Sequence, residues 1–139
     1  MRIYLLLLSI LIFVFSCKHK STINKAVVEK SEMAMAMQSM VEKLKRSGRA
    51  FENGDTLNLE FDDFTNFHFT DSTFYKPGFE SLAKFLLQQA HIYDSIPSIS
   101  HLDNVVNSCK SCHMVMCPGP LDLINTLTFS NNFDDKVKK

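Results

Sequence analysis

The chain has 139 residues, 45% of them hydrophobic, and its 15 basic and 15 acidic side chains cancel. Balanced charge with no basic stripe argues against a nucleic-acid or polyanion partner. The length is that of one domain with a single core.

In chain order, the first element is "MRIYLLLLSILIFVFSC". One arginine, an apolar run from Ile3 to Phe15, a small residue and a cysteine read as an export signal, because the run is too short for a lasting bilayer span. Val14-Phe15-Ser16-Cys17 resembles the lipobox of bacterial lipoproteins. That resemblance implies removal of residues 1–16, a lipid on Cys17, and a mature chain held to the periplasmic side of a bacterial membrane or cell envelope. The other reading is an ordinary secretory signal in which Cys17 has no role. Residues 17–30, opening "CKHKSTINK", form a polar tether.

The domain proper is expected over residues 31–127. From Ser31, a reasonable N-cap, "SEMAMAMQSMVEKLKRSGRAF" places Met33, Ala36, Met37, Met40, Val41, Leu44 and Phe51 on one helical stripe. "ENGDTLN" breaks that helix, and "LEFDDFTNFHF" predicts a short second one. After Lys76-Pro77-Gly78, the residues Phe79, Leu82, Ala83, Leu86, Ala90 and Tyr93 recur at three and four, the cleanest helical period in the chain. A fourth helix starts near Ser98 or Ser100, where "SHLD" has the form of a capping box. Its stripe is Ile99, Leu102, Val106, Cys109, His113 and Met116, and Pro118-Gly119-Pro120 stops it. No segment alternates like a strand. The expected fold is therefore all-α: an antiparallel four-helix bundle with a short C-terminal extension through Leu121, Ile124 and Leu127, then a polar tail at 128–139.

Cys109-Lys110-Ser111-Cys112-His113 is C-x-x-C-H, the attachment pattern of c-type haem. Two thiols at that spacing can add to the two vinyl groups of one porphyrin, and the adjoining imidazole can bind the iron. Cys109 and His113 lie one turn apart on the inward stripe, where an unpartnered imidazole would otherwise be costly. Three other readings compete. A thioredoxin-type redox pair usually opens a helix, where the helix N-terminus favours the thiolate; this pair closes one. A zinc site from Cys109, Cys112, His113 and Cys117 has four suitable donors, but successive helical residues diverge by about 100°. A disulfide between Cys109 and Cys112 is awkward within a helix, whereas one from Cys112 to Cys117 could close around the turn.

With the motif near its C-terminus, the chain resembles the four-helix haem proteins of the cytochrome c prime type, and more closely small exported bacterial cytochromes ending in C-x-x-C-H and C-P-G-P. "SEMAMAMQSMVEKL", "FTNFHFT" and "NSCKSCHMVMCPGP" carry the resemblance, which covers residues 31–127. It implies one covalent haem c per chain and transfer of single electrons to and from redox partner proteins, with no catalysis. A homodimer is compatible with it. The chain departs from cytochrome c prime after His113, where Met114, Val115 and Met116 replace the usual basic residue. Five-coordinate gas binding or sensing therefore does not carry over with the resemblance and stands as an alternative. So does a haem-free copper- or zinc-binding lipoprotein.

For the iron's second axial ligand, the first and last helices of such a bundle are antiparallel neighbours. Met37 and His113 then lie roughly 9 and 6 Å from the same end. The resemblance in "MQSMVEKLK" also points to Met37, with Met40 and His68 as alternatives. Met35 falls on the opposite side of the helix from Met33, Met37 and Met40, against a copper(I) cluster of all four. His19, His91 and His101 are expected at the surface, and Cys117 is expected to be a buried thiol at the helix end.

Overall fold

A computed structural model describes residues 29–130. The expectations for the export signal, for Cys17 and its lipid, for His19 and for most of the tether and tail lie outside the described residues.

Three long helices and one short one make up the fold: α1 (Glu32–Glu52), α2 (Phe79–Ser95), α3 (Ile99–Met116) and α4 (Leu121–Asn125). No strand occurs among the described residues, and no helix there is long and apolar enough to cross a membrane. The helix ends follow from local chemistry. Ser31 Oγ accepts from the Ala34 N–H at 3.1 Å, satisfying one of the donors a helix start leaves open. At the other end of α1, Asn53 closes the last turn and Gly54 takes φ +77°, a left-handed conformation suited to glycine. Only a few residues separate α2 from α3, so the two run antiparallel and form the most closely packed helix pair. α1 stands further off.

Two expectations need correction. "LEFDDFTNFHF" is not a helix; residues 57–69 form an irregular strap. Its backbone groups bond mainly to other elements, although the Phe67 N–H donates to the Phe64 carbonyl at 3.1 Å within it. The Asp94 carboxylate accepts from the N–H groups of Leu59 at 2.6 Å and Glu60 at 3.0 Å. The Leu57 carbonyl accepts from Ser47 Oγ at 2.9 Å and Tyr93 Oη at 3.2 Å, and Lys43 reaches the Glu60 carbonyl. The strap still buries Leu59 and Phe64. Nor does "SHLD" act as a capping box: Ser98 caps α3 through the His101 N–H at 3.1 Å. Asp103 instead accepts from Phe129 N at 2.8 Å and Ser130 N at 3.1 Å, holding the segment after α4.

The core has two parts. Leu44, Leu59, Ala90, Tyr93, Leu102, Val105 and Val106 meet near the end of α1 and the start of α3, joined by Ile124 and Leu127, so the C-terminal extension packs as expected. Toward the opposite end, Met33 and Met40 of α1 face Phe64, Phe79, Ala83, Leu86 and Met116. The second cluster positions the candidate site.

Candidate cofactor site

Pro118 shapes the end of α3. The residue before a proline is disfavoured in helical conformation, and Cys117 is extended, at φ −151° and ψ 94°. This lets its carbonyl meet the side chain four residues back: His113 Nδ1 lies 3.0 Å from Cys117 O. A carbonyl only accepts, so Nδ1 carries the hydrogen and Nε2 keeps its lone pair. Nε2 has no hydrogen-bond partner among the described residues, and His113 is buried. That is the arrangement in which an imidazole binds a metal, with its other nitrogen fixed by a backbone carbonyl.

Cys109, Cys112 and Cys117 are all free thiols, and none of the disulfides considered above is formed. Burial pushes Cys109 up to about 12, with the neighbouring Cys112 adding to it, and Cys112 up to about 11. Cys117 is also raised by burial, offset in part by the Lys76 ammonium. These groups stay thiols at neutral pH. A nucleophilic redox pair needs the opposite shift.

The three cysteines and His113 line one cavity of about 730 Å³ between α3, α1, the strap and the start of α4. That volume is within the ~300–1,000 Å³ of small-molecule and cofactor pockets. Met33, Met37 and Met40 line the wall opposite, Met33 and Met40 buried and Met37 half-buried. Met35, at 53% exposed, points away. Phe64, Phe69 and Phe79 form a third wall, with ring centres 6.3 Å apart for Phe64–Phe79 and 5.0 Å for Phe69–Phe79, both edge-to-face. The lining is predominantly apolar.

Of the candidate ligands, His113, Met37 and Met40 are brought together and His68 is not. Its ring is 88% exposed and sits 2.7 Å from a Glu32 carboxylate oxygen. His91 is at the surface, and His101 holds the Ile96 carbonyl at 2.7 Å. Among the described residues no group of three or more histidines, cysteines or acids is arranged to hold a bare metal ion. Sequence reasoning missed the Cys117 carbonyl and the aromatic wall. The first was signalled by a proline five residues after His113; the second had no local signal. The residues present could hold a flat, apolar metallocofactor: two thiols and one oriented imidazole on a helix, thioethers facing them, aromatic rings at the side.

The chain matches no protein-family model, no curated protein and no solved structure.

Proposed function

We propose that this chain is an exported, lipid-anchored c-type cytochrome that binds one covalent haem and transfers single electrons on the periplasmic side of a bacterial membrane. The observation that carries the reading is the meeting of Cys109, Cys112 and a tautomer-fixed His113 on one apolar cavity of about 730 Å³. The cavity opens to solvent and its lining is predominantly apolar, so an apolar guest that filled it would remove that lining from water. The walls are spaced for a guest.

When bound, haem supplies the one-electron ferric/ferrous couple. The chain does the rest. Cys109 and Cys112 would hold the group covalently, each thiol supplying its sulfur to one vinyl carbon and its hydrogen to the other with no net redox change. His113 Nε2 and, from across the cavity, the Met37 thioether would bind its iron, with Met40 next in line. The apolar lining excludes water and so favours the less charged ferrous state. In this reading the fold is a variant of the antiparallel four-helix bundle in which the strap takes the place of the second helix.

The test is expression of the full chain with haem-attachment machinery. Colour should stay with the protein through acid–acetone extraction, the mass should rise by one haem, and Cys109→Ser/Cys112→Ser should abolish both. A colourless, zinc-bearing product would end the reading. Met37→Ala should convert a low-spin ferric spectrum to high-spin. A native protein already high-spin would instead favour the five-coordinate gas-binding alternative.

A further inference from the structure

The polypeptide enters the domain at the same end as the cavity. Ser31 Oγ lies 2.8 Å from Thr70 Oγ1, and the Met33 N–H donates to the His68 carbonyl at 3.1 Å. From Thr70 the chain continues through a 3-10 turn, Ser72–Phe74, to Tyr75 and Lys76. The Tyr75 ring packs edge-on against Phe69 at 5.8 Å, and Lys76 Nζ donates to the Val115 carbonyl at 2.7 Å. Entry point, loop and the last turn of α3 are thus tied together by contacts. They form a rim beside the cavity, which Thr70, Phe74 and Cys117 line.

That rim carries several exposed apolar side chains. Tyr75 is 53% exposed, Met114 56% and Val115 50%, and Phe74 is exposed where it also borders the cavity. The acid in the loop, Asp71, is exposed and accepts from Thr73 N at 2.8 Å and Thr73 Oγ1 at 2.7 Å within its own turn. Tyrosine and lysine beside aliphatic side chains suit the headgroup boundary of a bilayer, where an apolar body and a polar tip are both accommodated. Residues 17–30 connect Cys17 to this end of the domain, and a link of that length spans at most ~50 Å.

We propose that Phe74, Tyr75, Met114 and Val115 rest on the phospholipid surface that carries the anchor, bringing this flank of the cofactor cavity close to the bilayer. The inference rests on the lipid-anchored reading of Cys17. It assigns the protein's electron exchange to the membrane surface, with carriers dissolved in or embedded in that bilayer, in preference to freely diffusing partners.

The test uses the full, haem-loaded chain in vesicles of phosphatidylcholine and phosphatidylglycerol, with a photoreactive benzophenone side chain placed in turn at positions 75, 115, 85 and 96. Phe85 and Ile96 are as exposed as the rim residues, at 50% and 64%, but belong to α2 and its end. Lipid adducts should be several-fold more abundant from 75 and 115 than from 85 and 96, and Phe74→Asp/Met114→Asp should erase the difference. Equal labelling from all four positions, on chains that carry labelled fatty acid and sediment with the vesicles, overturns the docking face and leaves the anchor intact. Absence of fatty acid overturns the anchor and the docking face together. Protein adducts replacing lipid adducts at 75 and 115 in native membranes overturn the bilayer as occupant and assign the rim to a protein surface.

Discussion

Where α1 ends and α3 begins, Leu59, Tyr93, Leu102 and Val105 close on one another with almost no surface left to solvent. At the opposite end Met33, Phe64, Phe79 and Met116 are just as buried, yet they line a cavity of about 730 Å³. The difference lies in side-chain type and helix spacing. Leucine, valine and tyrosine interlock where the helices and α4 converge. Methionine and phenylalanine, one adaptable and the other flat, wall a space that α1 leaves by standing off α3. One end is closely packed and the other is built around a cavity.

If the chain carries haem as proposed, the largest break in that comparison comes from removing the two thiols that would attach it. Cys109→Ser/Cys112→Ser, expressed with haem-attachment machinery, should lower the thermal midpoint by 10 °C or more, since about 4–8 °C accompanies each kcal/mol in a domain of this size. Amide exchange should rise in residues 33–43 and 61–70 and change little in 90–106. Uniform acceleration across both regions would show that the two ends do not fold separately.

Leu102→Ala, at a fully buried position of the closed end, should cost about 2–5 kcal/mol in chemical denaturation with an unchanged visible spectrum. Met37→Ala, half-buried on the cavity wall, should show the reverse, a spectral change with little loss of stability. A spectral response to Leu102→Ala would mean that the closed end also sets the iron's environment.

The strap joins the two ends, burying Leu59 in one cluster and Phe64 in the other. Asp94 pins it through two N–H groups. Asp94→Ala leaves both without that acceptor and should cost about 1–3 kcal/mol, measured by denaturation, with faster exchange confined to residues 57–69. Unchanged exchange there would show that Ser47, Tyr93 and Lys43 hold the strap without it.

The three long helices were legible because their apolar residues repeat at the helical period and their ends carry serine, glycine and proline, all local signals. Met33, Met40, Leu86, Leu102 and His113 fall on the buried faces that the stripes predict. The strap was not legible. Phe61, Phe64 and Phe67 recur at a helix-like spacing of three, but the acceptor that competes with helical bonding is Asp94, 35 positions beyond Leu59. Local spacing carries no trace of such a partner. The site was legible where chemistry demands sequence proximity, as in Cys109, Cys112 and His113. It was obscure where the fold supplies the wall, as with Phe64, Phe69 and Phe79.

The smallest expected effect is at the exposed tie between strap and α1. The Glu32 carboxylate accepts from the His68 ring at 2.7 Å and from the His68 N–H at 3.0 Å. These bonds hold its carboxyl below the usual range. A carboxyl depressed in the folded state contributes stability above its unfolded pKa, and that contribution disappears as pH falls through the lowered folded value. The difference in thermal midpoint between the native chain and Glu32→Gln should therefore be constant above about pH 5 and shrink below about pH 4. It should also be small, because both partners face solvent and screening weakens the pair. A difference that persists unchanged to pH 3 would show that the charge contributes nothing. His68→Ala should remove the same pH dependence and leave the visible spectrum as it was, since the ring lies outside the cavity lining. A high-spin spectrum from that variant would instead mean that His68 leaves Glu32 to bind iron, and that the strap moves with the cavity end when haem is in place.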